Sequence, residues 1–140
     1  DWDRPKVRHP GSGGANDLGS FCCRTIYIMR NQSTRTFVNS LDFLTTPGYL
    51  TGPGSREQAG LPAGAGPYRV ISQLGVYGFE FESKRLELLA LHPGVSIEEV
   101  QANSQFEILV HDKVPETEPP TPEEQKLLRE IDPTGMVLGK

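Results

Sequence analysis

Three glycines fall within four positions, at Gly11, Gly13 and Gly14, in the stretch Gly11-Ser12-Gly13-Gly14-Ala15-Asn16-Asp17. Glycines ahead of a helix let successive backbone N–H groups point into one small volume without Cβ crowding. Such a nest suits an anion, either a phosphate or the oxyanion that develops when a thioester carbonyl is attacked. The same residues also suit an ordinary tight turn. The stretch is neither a dinucleotide fingerprint nor a P-loop, because position 16 is Asn and no Gly-Lys-Ser/Thr follows.

The remaining reactive side chains are scattered. His9, His92 and His111 each flank a Pro or an Asp and share no metal-ligand spacing, which points to surface or structural roles rather than a zinc site. Cys22 and Cys23 are the only cysteines, and their adjacency disfavours a mutual disulfide. They read as buried thiols in a reducing compartment, with the cytoplasm as the default. Glu123, Glu124 and Glu130 belong to a solvated helix face, and Glu116 and Glu118 to an exposed arm, so none is assigned acid–base work. Arg24, Arg30, Arg35, Arg56 and Arg69 lie near loops; pairing with the acidic surplus is the ordinary expectation, and contact with a ligand phosphate the alternative.

Composition bounds the partners. Hydrophobic residues make up 36% of the 140 residues and charged residues 23%, enough for one folded domain. The net charge of -4 comes without a basic block, which argues against nucleic acid and against a polybasic membrane anchor. No apolar run approaches the roughly 18 residues of a membrane span, and no signal segment opens the chain. The first residue is Asp1 rather than Met, as expected of a trimmed or partial stretch of something longer. The chain holds 15 Gly and 12 Pro, so many turns and long ordered loops are expected.

The elements that must position the glycine stretch follow from pattern. Asn16 or Asp17 is placed to cap a short helix through Cys23. Thr25-Ile26-Tyr27-Ile28-Met29 is β-branched and aromatic, the pattern of a strand buried on both faces. Thr36-Phe37-Val38 and Leu41-Asp42-Phe43-Leu44 suggest short edge or connecting strands, and 46–67 a long loop lining a cleft. Strands are expected at 68–72, 75–81, 86–92 and 106–110, with a hairpin turn at 82–85. Ser96 with Glu99 fits a capping box for a helix over 97–103. Residues 114–120 read as an exposed, Pro-rich extended arm. Thr121-Pro122-Glu123-Glu124 then starts a helix bearing Leu127, Leu128 and Ile131. The reading is α/β with two parts, a body over 1–113 and an arm with a terminal helix over 114–140.

The ordered series of segments has a resemblance. Pro10 to Asp17, Leu41-Asp42-Phe43, Thr46-Pro47-Gly48-Tyr49, Gly66 to Ile71 and Leu74 to Phe79 are similar to the second glycine motif and following body of family I CoA-transferases. The match runs on through Leu91 to Val100, Phe106-Glu107 and Val114-Pro115-Glu116-Thr117. Across essentially the whole chain it resembles the C-terminal half of the B subunits of the glutaconate CoA-transferase group.

That resemblance implies an α/β fold with an open, mostly parallel sheet sandwiched by helices. It implies ping-pong transfer of CoA between carboxylic acids through a glutamyl-CoA thioester, with an acyl-CoA as substrate and no permanently bound cofactor. Gly13, Gly14 and Ala15 would supply N–H donors to the thioester oxyanion near the CoA thiol, with Asn16 assisting. The family's nucleophilic glutamate lies in a Ser-Glu-Asn-Gly segment of the N-terminal half, and no Glu-Asn-Gly occurs here, so no catalytic nucleophile is assigned. The implied partners are an A subunit and the N-terminal half of the B subunit. Two alternatives stand beside this reading: a ring-opening CoA-thioester hydrolase subunit, and a non-catalytic CoA-binding or assembly domain.

Overall fold

The computed structural model of the chain describes residues 3–136. In chain order the elements are α1 (Gly13–Phe21), β1 (Thr25–Ile28), α2 (Ser55–Gln58), β2 (Pro67–Ile71) and β3 (Gly75–Phe79). They continue with β4 (Leu86–Leu91), α3 (Ile97–Ala102), β5 (Leu109–Val110) and α4 (Pro122–Ile131). The strands form one open α/β sheet in the order β1-β2-β3-β4-β5.

Connection length decides strand direction. Ser72-Gln73-Leu74 between β2 and β3, and residues 80–85 between β3 and β4, are too short for a crossover, so both pairs are antiparallel. The long connections 29–66 and 92–108 allow parallel pairing of β1 with β2 and of β4 with β5. The sheet is therefore mixed, with as many antiparallel pairs as parallel ones, rather than mostly parallel.

The core gathers Phe37, Leu74, Tyr77, Leu88, Leu91, Val100 and Ile108, with Met29, Val70 and Phe106 packed against it. Phe37 stacks on Phe106 at 6.0 Å between ring centroids and meets Tyr77 at 5.9 Å. A buried polar knot sits in this core. Gln32 Oε1 accepts from Tyr77 Oη at 2.6 Å and from Ser72 Oγ at 2.7 Å, while Gln32 Nε2 donates to the Val100 carbonyl at 3.4 Å. Burial raises the Tyr77 phenol above its ordinary value.

Several local expectations hold. Ser96 Oγ accepts from Glu99 N at 3.1 Å to start α3. Thr121 and Glu124 cap each other reciprocally at the head of α4, with Pro122 as its first residue. The turn at 82–85 forms around Glu80, whose carboxylate accepts from the Glu82 and Ser83 N–H groups and the Ser83 hydroxyl. Those bonds hold the Glu80 carboxyl down at about 2.

Others change. β1 is covered on one face only: Thr25 and Tyr27 are partly buried, whereas Ile26 and Ile28 are 54% and 76% exposed. Residues 36–38 and 41–44 form no strands, because Thr36 Oγ1 closes a local turn onto the Asn31 carbonyl while Leu41, Phe43 and Leu44 stay exposed. The last strand is only Leu109–Val110, since Ser104 and Gln101 take up the backbone groups before it.

The arm begins as part of the body. Leu91 N donates to Pro115 O at 2.9 Å, and Thr117 N donates to Leu91 O at 2.8 Å. His92 clips the same place: Nε2 faces the Ser72 carbonyl at 3.0 Å and Nδ1 faces Thr117 Oγ1 at 2.9 Å. A carbonyl only accepts, so Nε2 donates to Ser72 O. Beyond Thr117 no described residue is buried, and Leu127, Leu128 and Ile131 of α4 stay exposed. Residues 1–2 of the opening connector and 137–140 of the arm lie outside the described residues.

Candidate active site

The glycine stretch is the head of a helix. α1 begins at Gly13 with Ser12 as its N-cap, so the helix starts earlier than Asn16 or Asp17 would place it. Those two residues lie inside the first two turns, because the Asn16 N–H already bonds the Ser12 carbonyl at 2.9 Å. The N–H groups of Gly13, Gly14 and Ala15 precede the first intrahelical bond and point off the helix end. Ser12 makes no side-chain cap, and no acidic residue stands in the first turn. The positive pole of the helix therefore has no acidic partner in its own first turn.

The backbone does not require these glycines. Gly11, Gly13 and Gly14 have no positive φ, and a Cβ built on any of them meets nothing within 4 Å. Glycine in a helix costs up to about 1 kcal/mol against alanine. What it provides here is access: the N–H groups stay uncovered for close approach from outside.

A cavity of about 660 Å3 opens at this helix end, lined by His9, Pro10, Gly11, Ser12, Ala15, Phe43 and Thr45. That size lies within the range of small-molecule sites. Asn16 does not face it as a free donor; its Nδ2 donates to the Thr45 carbonyl at 3.0 Å and ties α1 to the 41–46 wall. No Asp, Glu or Cys lines the cavity. Cys23 is exposed and Cys22 half-buried at the end of α1, so the expectation of two buried thiols does not hold.

The other sequence candidates disperse. His111 bonds Glu87 at 2.9 Å, His92 holds the arm, and His9 alone reaches the cavity. Among the described residues no group of three or more His, Cys, Asp or Glu is arranged to hold a metal ion. None of Arg24, Arg30, Arg35, Arg56 and Arg69 forms an ion pair among the described residues, contrary to the ordinary expectation. Arg24 and Arg69 flank the Tyr68 ring at 4.9 and 4.0 Å instead. Arg56 is buried, a placement its loop sequence gives no sign of.

The model of the coenzyme A transferase family matches residues 1–103. The chain belongs to this family. Its sequence is 42% identical over 134 residues to the B subunit of glutaconate CoA-transferase from Acidaminococcus fermentans, covering 95% of this chain and 49% of that protein. Identity is 39% to the B subunit of 3-oxoadipate CoA-transferase from Pseudomonas knackmussii, over 94% of this chain and 50% of that protein. It is 31% to the IpdB subunit of the cholesterol ring-cleaving hydrolase of Rhodococcus jostii, over 80% and 44%. The crystal structure of the Acidaminococcus glutaconate enzyme superposes with a TM-score of 0.86 at 40% identity, covering 100% of this chain and 53% of that chain. The Rhodococcus IpdAB structure gives 0.75 at 28% identity, over 97% and 54%.

This CoA-transferase-family chain thus spans about half the length of the curated relatives it matches. No helix among its described residues is long and apolar enough to cross a membrane.

Proposed function

We propose that the full-length protein is the B-type subunit of a coenzyme A transferase, and that the head of α1 is its oxyanion site. The observation that carries this is the open N-terminus of α1, where the N–H groups of Gly13, Gly14 and Ala15 have no side-chain cap and Ala15, with Gly11 and Ser12, lines a cavity of about 660 Å3. Similarity to the B subunits of two transferases, at 42% and 39% identity, supports the same reading.

In this reading a glutamate carboxylate from outside these 140 residues attacks the carbonyl of an acyl-CoA. The C–S bond breaks, CoA thiolate leaves, and a mixed anhydride remains. The thiolate attacks the enzyme's side of the anhydride, which gives glutamyl-CoA and the free carboxylate of the donor. The acceptor carboxylate repeats both steps in reverse and leaves with CoA, so no electrons or net protons are exchanged. Each tetrahedral intermediate puts charge on one oxygen, where fixed N–H donors need no reorganisation. Partnership with an A-type subunit, and residues 114–140 as an arm that seats on it, belong to the same proposal.

A hydrolase reading has its own support in the 31% identity to the IpdB hydrolase subunit and the 0.75 superposition on IpdAB. The two separate on acceptor dependence. Full-length protein assembled with its A-type partner is given an acyl-CoA with and without a second carboxylate. Labelled CoA appearing on the second acid only when that acid is present supports transfer. Steady release of free acid and CoA without it supports hydrolysis.

A further inference from the structure

The geometry points to Arg56 as the residue that sets the direction of α1, and so the aim of its N–H groups. This rests on the oxyanion reading of that helix end. Arg56 is only 3% exposed, and none of the ion pairs among the described residues includes it. Its Nη2 donates to the Ser20 carbonyl at 2.8 Å, in the last turn of α1. Its Nη1 donates to the Gly48 carbonyl at 2.6 Å, in the loop that leads away from the cavity wall. The guanidinium lies against Gly66, where a Cβ would come within 3.0 Å of both Cζ and Nε. Gly66 in turn donates its N–H to Cys22 O at 3.2 Å and accepts from Thr25 N at 3.0 Å. One side chain therefore touches the end of α1, the 46–66 loop and the junction into β1.

A charge is an expensive way to fill that space. A buried cation without an ion-pair partner gives up its hydration, and an apolar side chain of similar length would pack without that loss. What the guanidinium adds is two charge-assisted bonds in a rigid fork. It also places a cation at the negative pole of α1, whose last turn has no basic residue of its own. The opposite contact is equally tight: a Cβ on Gly19 would lie 2.9 Å from Thr46 Cβ and 3.1 Å from Tyr27 Oη. α1 is thus gripped at its C-terminal end, while nearer its head it is held by the exposed Asn16 Nδ2–Thr45 O bond. Nine residues make a lever of roughly 13 Å, so a tilt of about 5° at the grip moves the head by about 1 Å. A misplacement of about 1 Å is enough to cost about 10²-fold in rate. Arg56 is a positioning residue in this account, about a helix length from the chemistry.

The test uses full-length protein in complex with its A-type partner, as Arg56→Gln and the milder Arg56→Lys, which keeps the charge and loses the fork. Two readouts are taken: kcat and KM for CoA transfer, and hydrogen exchange across 13–21 against 75–91. Arg56→Gln is expected to lower kcat about 10²-fold with KM within about threefold, and Arg56→Lys to fall between. Exchange in 13–21 rises while 75–91 matches wild type. Unchanged exchange in 13–21 with kcat within about twofold overturns the role, and so does a uniform rise across both regions, which marks general destabilisation. If Arg56→Gln does not assemble, Arg56→Lys is read by the same criteria. If the wild-type complex transfers no CoA, the oxyanion reading fails on that result, and the exchange comparison alone decides whether Arg56 holds α1.

Discussion

Asn16 Nδ2 donates to the carbonyl of Thr45 at 3.0 Å, so this first-turn amide ties down a wall instead of lining the cavity. Asn16→Ala removes one exposed hydrogen bond, a stability loss of about 1 kcal/mol, and because no donor at the helix head is lost, kcat is expected to fall by less than about tenfold. A direct oxyanion donor would cost about 10²–10³-fold. Steady-state kinetics on the assembled full-length enzyme separates the two, and the smaller loss is expected.

Gly14 sits in the first turn of α1 with open space where a Cβ would go. Gly14→Ala is therefore expected to raise stability, by up to about 1 kcal/mol, while the methyl group narrows the approach to the N–H groups. Thermal melts and transfer assays on the same preparation should move in opposite directions, with activity falling at least about tenfold. A variant that is more stable and fully active would remove the glycines from the site.

Glu80 carries a pH signature. Hydrogen bonds from Glu82 and Ser83 hold its carboxyl at about 2 against an ordinary 4.5. A lowered carboxyl stabilises the fold above its unfolded value, so the 80–85 turn loses this support as pH falls from about 4.5 through about 2. Amide exchange at 82–85 should quicken over that window, and Glu80→Gln should flatten the dependence. An unchanged profile in the variant would mean that another group governs the turn.

The arm divides at Thr117. Up to that residue it is bonded to Leu91 and His92, and beyond it Leu127, Leu128 and Ile131 stay exposed. Truncating the full-length protein after Thr117 is expected to leave the β3–β4 amides protected and to weaken assembly with the A-type partner. Light scattering that shows the same complex mass at the same concentration would contradict this.

Local features were the legible ones. Ser96 with Glu99 and Thr121 with Pro122 and Glu124 announce helix starts because the partners are three residues apart and need no tertiary help. The glycine stretch reads as a loop ahead of a helix and not as the helix's own first turn, since two glycines argue against helix. The apolar run at Thr25–Met29 reads as two-sided burial, yet Ile26 and Ile28 are exposed. A run without alternation reports apolar character, not what covers each face. Strand direction was readable where turns are short, at 82–85, and the mixed sheet follows from those turns. Arg56 was not readable as a buried clamp, because a cation in a Gly- and Pro-rich loop has no local mark of burial, and its partners lie at positions 20 and 48.

The most direct measurement is intact mass of the assembled full-length enzyme after exposure to an acyl-CoA without acceptor, followed by peptide mapping. The account predicts one CoA joined to the B-type chain as a thioester, on a glutamate outside these 140 residues. That adduct should be discharged by added carboxylate and reduced in Arg56→Gln. Turnover of acyl-CoA to free acid with no adduct at any time would contradict covalent transfer and leave the hydrolase reading in its place.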